Sequence, residues 1–266
     1  MQKAAPGDGP SEASSVPSVL SGELLKGRVA LLTGAGGSPT GLGLATARLF
    51  RVHGARVFLL DTNFCEEASK EFETMKCDVT CKQTVDECVS RISTETGDRV
   101  DVVVHFAGIT QPLKFLEISE DDYRKVVDIS LKGSLLVSQA AIPLMKARGA
   151  GSLVFISSVS AQQGGGIFGG PHYCGAKAGC LGLMRACAKE FGSSGIRANA
   201  ICPSLVETGI AKGMTEETRE KIRGGIPLGR TGKPDDVAGV CLFLASDLSA
   251  YVSGATIDVN GASYFR

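Results

Sequence analysis

Tyr173 and Lys177 stand four residues apart in the run Pro171-His172-Tyr173-Cys174-Gly175-Ala176-Lys177, and Ser157-Ser158 closes a strand-like run just before them. On a helix, positions i and i+4 share one face, so the phenol and the ammonium can lie close together. A nearby cation stabilises an ionised phenol and moves the hydroxyl toward general acid/base work. With a serine hydroxyl beside it, such a pair suits redox chemistry at a carbonyl, where a proton must reach or leave the oxygen. The spacing also arises in ordinary helices, so its meaning depends on what the rest of the chain builds around it.

From Gly27 onward strand-like and helix-like segments alternate. The strand runs are Val29–Thr33, Arg56–Leu60, Val100–His105, Ser152–Ile156, Arg197–Ile201 and Thr256–Val259. Several are near-continuous β-branched runs, as expected for strands covered on both faces. Amphipathic helices are expected at 41–53, 82–96, 119–147, 173–192 and 234–246. This alternation implies an α/β fold, a doubly wound parallel sheet, in one domain covering 23–266. No long linker, internal repeat or low-complexity block follows the first 22 residues.

The first strand runs into Thr33-Gly34-Ala35-Gly36-Gly37-Ser38-Pro39-Thr40-Gly41-Leu42-Gly43, and a helix follows at once. A glycine-rich turn of this kind lets backbone approach a pyrophosphate, whose charge the helix N-terminus stabilises. Asp61 ends the second strand, about 20 residues on, where a carboxylate can accept both hydrogen bonds of an adenosine ribose diol and repel a 2′-phosphate. NAD(H) is therefore favoured, with NADP(H) possible. Asp61 as a simple turn or cap residue stays open. Asp78-Val79, after a third strand, can sit beside the adenine.

With 266 residues, the chain is long enough for one large α/β domain with a full core. Lys plus Arg equals Asp plus Glu at 28 each, so no long-range field argues for nucleic acid or an anionic membrane surface. No apolar stretch reaches the roughly 20 residues that span a bilayer. The nine cysteines are an odd number without a Cys-x-x-Cys pair, which reads as free thiols in a reducing, cytoplasmic setting. Cys77, Cys81 and His105 lack a fourth ligand at zinc-site spacing, so no metal is expected. Residues 1–22, rich in Pro, Ser, Gly and Ala, read as a mobile tail; they do not resemble a secretory signal, and Asp8, Glu12 and the lack of Arg disfavour a transit peptide.

Taken in order, these segments resemble the short-chain dehydrogenase/reductase family from about residue 25 to 262. The glycine turn, with Gly34, Gly41, Leu42 and Gly43, looks like its Thr-Gly-x-x-x-Gly-x-Gly. Asp61 looks like its NAD-selecting acid, and Asp78-Val79 like its adenine-side pair. Ala107-Gly108 resembles the end of Asn-Asn-Ala-Gly, and Ser158, Tyr173 and Lys177 match the catalytic trio. Arg197-Ala-Asn199 and Pro203 through Thr208, Val206 included, resemble the segment closing over the nicotinamide. The run from Ser246 to Gly261 resembles the C-terminal strand that commonly joins subunits. The resemblance implies a Rossmann fold and hydride transfer between a nicotinamide and a carbonyl or carbinol carbon. Tyr173 would be acid and base, Ser158 would bond the substrate oxygen, and Lys177 would hold the nicotinamide ribose. It also implies a homotetramer or homodimer.

Four departures bear on these expectations. The glycine turn carries three extra residues around Ser38-Pro39-Thr40, His105-Phe106 replaces the Asn-Asn pair, and Ser204 replaces the Gly of Pro-Gly. Ser130 stands where the family usually has the Asn that supports a proton-relay water; a hydroxyl can bond water but lacks the amide's reach. Ser160 competes with Ser158, being nearer the family's usual spacing to Tyr173; a loop insertion at Gly164-Gly165-Gly166 favours Ser158.

Residues 205–224 resemble a substrate lid, and Gln162, Gln163, Ile167, Phe168 and His172 are expected to line the pocket beside Ser158 and Tyr173, with a structural role at the helix start the stronger alternative for His172. That mixture suits a small or medium secondary alcohol, polyol or cyclic ketone. An NADPH-dependent 3-oxoacyl reductase is a second reading, and a nucleotide-binding protein or non-redox cyclase a third.

Overall fold

The computed structural model describes residues 23–165, 168–209 and 214–265. Along the chain the first half runs β1 (Val29–Thr33), α1 (Leu42–Val52), β2 (Arg56–Asp61), α2 (Glu66–Glu71), β3 (Glu73–Lys76), α3 (Lys82–Thr96) and β4 (Val102–His105). Then come α4 (Glu120–Val127), a π-helical turn (Asp128–Lys132), α5 (Gly133–Arg148), β5 (Gly151–Ile156) and α6 (Ser160–Gln163). The last part is α7 (Pro171–Phe191), β6 (Ile196–Pro203), α8 (Glu216–Gly224), α9 (Pro234–Ala245) and β7 (Thr256–Val259).

All seven strands pair in parallel in the order β3-β2-β1-β4-β5-β6-β7. Successive side chains of a strand point to opposite faces, and here both faces are apolar. Leu31, Phe58, Val103 and Leu153 pack with residues of α3, α5 and α7, while Leu32, Leu59, Val104 and Val154 pack with residues of α1 and α9. The doubly wound sheet expected from the alternation is the observed one. The chain order reverses between β1 and β4, which opens a crevice at the C-terminal strand ends where such sheets hold ligands. Among the described residues no helix is long and apolar enough to cross a membrane.

Local chemistry sets the helices that matter for this crevice. Pro171 begins α7, where its missing N–H costs nothing and its fixed φ favours the helix. Ser119 caps α4: its hydroxyl accepts from the Asp122 N–H while Asp122 accepts from the Ser119 N–H. The single helix expected over 119–147 is instead broken by the π turn, a feature that often marks functional sites. Gly133, just past it, lies so close to Val79 that an added Cβ would fall 2.7 Å from a Val79 methyl.

Other differences have plain causes. β3 has the sequence Glu-Thr-Met-Lys and buries only Met75, so it lacks the apolar run of a central strand. Arg197 and Asn199 do not reach the crevice. The Arg197 guanidinium donates to Ser249 Oγ (2.8 Å) and the Leu244 carbonyl (2.9 Å), and the Asn199 amide to the Val252 carbonyl (2.8 Å), so both brace the C-terminal segment against β6. The expected tail, 1–22, lies outside the described residues.

Candidate active site

Three strand ends and one helix start converge at the crevice. β1 delivers the glycine turn, β4 delivers His105-Phe106-Ala107-Gly108, β5 delivers Ser157-Ser158, and the first turns of α7 carry Tyr173 and Lys177. One helical turn brings the Lys177 Nζ to 5.9 Å from the centre of the Tyr173 ring. Lys177 is 4% exposed, and its ammonium donates to the Ile156 carbonyl at 2.8 Å. Ser157 Oγ in turn donates to the Lys177 carbonyl at 2.8 Å, tying helix to strand from both ends. A buried ammonium with a single carbonyl partner keeps two donors for other groups.

Ser158 lies just past β5, its Oγ accepting the Ser160 N–H at 3.1 Å. That bond uses a lone pair and leaves the hydroxyl proton to donate. Both Ser158 and Ser160 line the crevice, and Gly169 lies against the Tyr173 ring. Thr110 Oγ1 donates to the Phe168 carbonyl, which joins the loop before α7 to the segment after β4.

At the other end, Gly34 adopts a left-handed φ of +64° and touches the Ala107 backbone, so a Cβ there would be 2.5 Å from Ala107 Cα. A Cβ on Gly43, at the start of α1, would overlap Ala35. Asp61 Oδ2 accepts the Gly36 and Gly37 N–H groups at 3.0 and 3.2 Å, while Oδ1 accepts the Thr62 N–H at 2.7 Å. The insertion bulges outward: Pro39 and Thr40 are exposed, whereas Ser38 stays on the crevice wall.

These parts enclose one cavity of about 670 Å³ running from the glycine turn to Tyr173 and on to Phe168 and Ile226. Of the residues expected to hold a dinucleotide, Gly34, Gly41, Leu42, Gly43, Gly108, Tyr173, Lys177, Pro203, Val206 and Thr208 line it. Ala107 packs beneath Gly34, and Asp61 sits outside the cavity beside Gly37. Asp78 opens on a separate recess of about 360 Å³ with Thr62 and Lys125, and Val79 is buried against Gly133. Of the residues expected around substrate, Ser158, Gln163, Phe168 and Tyr173 line the cavity.

His172 does not line it. Its ring is 4% exposed and turned into the protein, where Nε2 pairs with Gln111 Oε1 at 2.9 Å and Gln111 bonds Asp122 of α4 at 3.1 Å. Neighbours on a helix point about 100° apart, so Tyr173 facing the cavity turns His172 away. Gln162 is likewise drawn off, donating to Asp258 at 2.8 Å. Ile167 lies outside the described residues, as does part of the expected lid, 210–213. The described lid residues Leu205, Thr208, Gly209 and Ile222 do face the cavity. Sequence reasoning missed Ile109, Thr110, Gly225, Ile226 and Ser263, which reach it from loops. For the last three, no local spacing signals that approach.

The family model described as Enoyl-(Acyl carrier protein) reductase matches residues 36–262, most of the chain. The chain belongs to the short-chain dehydrogenase/reductase family. It is similar to an uncharacterized short-chain type dehydrogenase/reductase of Sinorhizobium fredii, 47% identical over 253 residues, covering 90% of this chain and 98% of the relative. A 3-oxoacyl-[acyl-carrier-protein] reductase of Thermotoga maritima is 39% identical, covering 89% and 98%, and the meso-2,3-butanediol dehydrogenase of Serratia marcescens is 34% identical, covering 89% and 94%. The crystal structure of gox2181 superposes with a TM-score of 0.84 at 31% identity, covering 90% of this chain and 96% of that one.

This dehydrogenase/reductase is thus an oxidoreductase of a family that works with a nicotinamide cofactor, and its residues fit one. The places where a Cβ would intrude, Gly34 and Gly43, are glycine, and the N-terminus of α1 opens on the cavity. Ser130 lies behind the cavity wall, fully buried in the π turn.

Proposed function

We propose that the chain transfers hydride between NAD(H) and a neutral secondary alcohol or ketone of small to medium size, with Tyr173 as acid and base. One observation carries this reading: a single cavity joins the glycine turn to Tyr173, Lys177 and Ser158. Gly34, Gly41, Leu42, Gly43, Gly108, Pro203, Val206 and Thr208 would hold the cofactor, with Asp61 at its adenosine ribose. When bound, the nicotinamide supplies the hydride for reduction and accepts it in oxidation.

The chain's own residues handle the proton. Tyr173 donates its phenolic proton to the carbonyl oxygen in reduction and takes the carbinol proton in oxidation. Ser158 donates a hydrogen bond to the same oxygen, a direction left open by its bond from Ser160. Lys177, anchored on the Ile156 carbonyl, would hold the nicotinamide ribose with its remaining donors, and its charge would stabilise the Tyr173 anion left after proton transfer.

The substrate class follows from the walls. Among the described lining residues Lys177 alone is charged, and Ile109, Phe168, Leu205, Ile222 and Ile226 give the far end an apolar surface. A carboxylate or phosphate placed there would lose its hydration without a partner. Asp61 supports NAD(H), because a 2′-phosphate would meet its charge. A cytoplasmic homotetramer or homodimer belongs to the same reading.

The name of the Thermotoga maritima relative favours a second reading, an NADPH-dependent 3-oxoacyl reductase. Steady-state turnover of neutral ketones, vicinal diols and a 3-oxoacyl thioester, each with NADH or NAD+ and with NADPH or NADP+, tests both. Turnover of neutral ketones or diols with a preference for NAD(H) is expected. A preference for NADPH with the thioester would favour the second reading, and no hydride transfer on any of them would contradict both.

A further inference from the structure

Between Gly108 and Lys114 the chain has no regular secondary structure, yet Gly108, Ile109 and Thr110 form one wall of the cavity. Three contacts join this wall segment to the start of α7. Thr110 Oγ1 donates to the Phe168 carbonyl, the Gly170 N–H donates to the Gln111 carbonyl at 2.9 Å, and the His172 ring meets the Gln111 side chain at 2.9 Å. A Cβ on Gly170 would lie 2.6 Å from the Gln111 carbonyl oxygen and 2.8 Å from that of Leu113, so this close approach depends on glycine.

The third contact has a direction. Asp122 accepts from Ser119 Oγ at 2.5 Å and from the Ser119 N–H at 3.2 Å, and these bonds, the hydroxyl's first, hold its carboxyl below the usual carboxylate range. The Gln111 amide nitrogen therefore donates to Asp122, at 3.1 Å, and the amide oxygen is turned to His172. That oxygen can only accept, which places the ring proton on Nε2. The other ring nitrogen, Nδ1, is buried with no partner among the described residues. A histidine that capped the helix would turn a nitrogen to a free N–H of the first turn, and Nδ1 does not. An unpaired buried nitrogen is unfavourable, so an aliphatic side chain would suit the site better if packing were the only need. What the imidazole supplies is the bond to Gln111.

We propose that His172 is a positioning residue for the substrate wall: through Gln111 it holds segment 109–113 against the start of α7, so that Ile109 and Thr110 keep a fixed place relative to Tyr173. The phenol itself does not depend on this bond, because Lys177 and Ser157 fix α7 on β5. The wall does depend on it. Among the described residues, the hydrogen bonds that tie 109–113 to the rest of the structure run to Phe168, Gly170, His172 and Asp122. Loss of the imidazole therefore loosens the substrate's hold and spares the cofactor and the proton step. The seam stands on its contacts alone; its effect on turnover rests on the hydride-transfer reading above.

His172→Leu should raise KM for a neutral ketone by roughly tenfold, the scale of a buried hydrogen bond left unmade, with kcat within about twofold of wild type and NADH affinity unaltered. His172→Gln, whose amide N–H reaches about as far as Nε2–H, should restore most of the wild-type KM. Gln111→Leu leaves α7 untouched and so tests the bond even if His172→Leu fails to fold. It should raise KM alike, and the two changes together should be no worse than either alone, because both remove one bond. Amide hydrogen exchange gives a readout independent of turnover. In either single Leu variant the Gly170 N–H should exchange faster while the amides of β4 and β5 keep their wild-type rates. A folded Leu variant with the wild-type KM, with kcat lost at constant KM, or with wild-type exchange at Gly170 overturns the positioning role. Wild-type protein that moves no hydride contradicts the functional reading instead, and exchange at Gly170 then decides the seam by itself.

Discussion

Lys177 Nζ lies 5.9 Å from the centre of the Tyr173 ring while donating to the Ile156 carbonyl at 2.8 Å. The ammonium is thus held by strand β5 and the phenol by helix α7, so their separation is set by how the helix packs on the sheet. A change that shifts α7 on β5 alters the proton-transfer pair without touching either side chain.

Asp61 binds four backbone N–H groups, those of Gly36, Gly37, Thr62 and Asn63, and so ties the glycine turn to the end of β2. Asp61→Ser should lower the ratio of kcat/KM for NADH over NADPH by roughly ten- to a hundredfold, the range for hydrogen bonds to a charged group. Paired kinetics with the two cofactors measure this. An unchanged ratio would remove Asp61 from the ribose.

Gly43→Ala adds a methyl that overlaps Ala35, which should cost about 1–3 kcal/mol of stability and weaken dinucleotide binding with it. Gly239→Ala, on the exposed side of α9 with no atom near the new methyl, should stabilise by about 0.5–1 kcal/mol and leave binding unaltered. Denaturant unfolding and cofactor titration of both variants check the contrast.

His105 makes stability depend on pH. The native imidazole is held at about 3 against an ordinary 6.5, first by burial and then by Lys177. Between those values the unfolded chain takes up a proton that the native chain refuses, so stability rises with pH there. The contribution is present above 6.5 and is lost as pH falls through about 3. Unfolding free energies measured from pH 4 to 7 should therefore climb less steeply for His105→Gln than for wild type. Equal slopes would contradict the buried neutral imidazole.

The cavity walls predict selectivity by charge. A ketone bearing a carboxylate on its far side should show kcat/KM at least about tenfold below that of its amide or methyl ester, because the far end offers an anion no cation among the described residues. Matched substrate series test this, and comparable values would place an unrecognised cation near the lid.

Much of this arrangement was legible in the sequence where the signal is local. Tyr173 and Lys177 are one helical turn apart, the glycine turn sits between a strand and a helix, and β1, β4 and β5 are short, mostly apolar runs of the kind that strands buried on both faces require. Features that depend on tertiary contact were not legible. β3 is a polar edge strand whose only apolar anchor is Met75. For His172 the sequence left two roles open, substrate contact beside Tyr173 and a structural part at the helix start, and only the rotation of α7, which sends the ring to Gln111, decides for the second. Arg197 and Asn199 share a strand with Pro203 but are spent on the C-terminal segment. Ile226 and Ser263 reach the cavity only through the path of loops, which no spacing encodes.

The central claim is that Tyr173 exchanges the proton that accompanies hydride transfer, and Tyr173→Phe tests it most directly. Single-turnover reduction of a neutral ketone, followed by nicotinamide absorbance, should slow by roughly a hundredfold or more in this variant, the scale of general acid/base catalysis, while NADH binds as in wild type. A Tyr173→Phe protein that binds NADH and transfers hydride at the wild-type rate would contradict it.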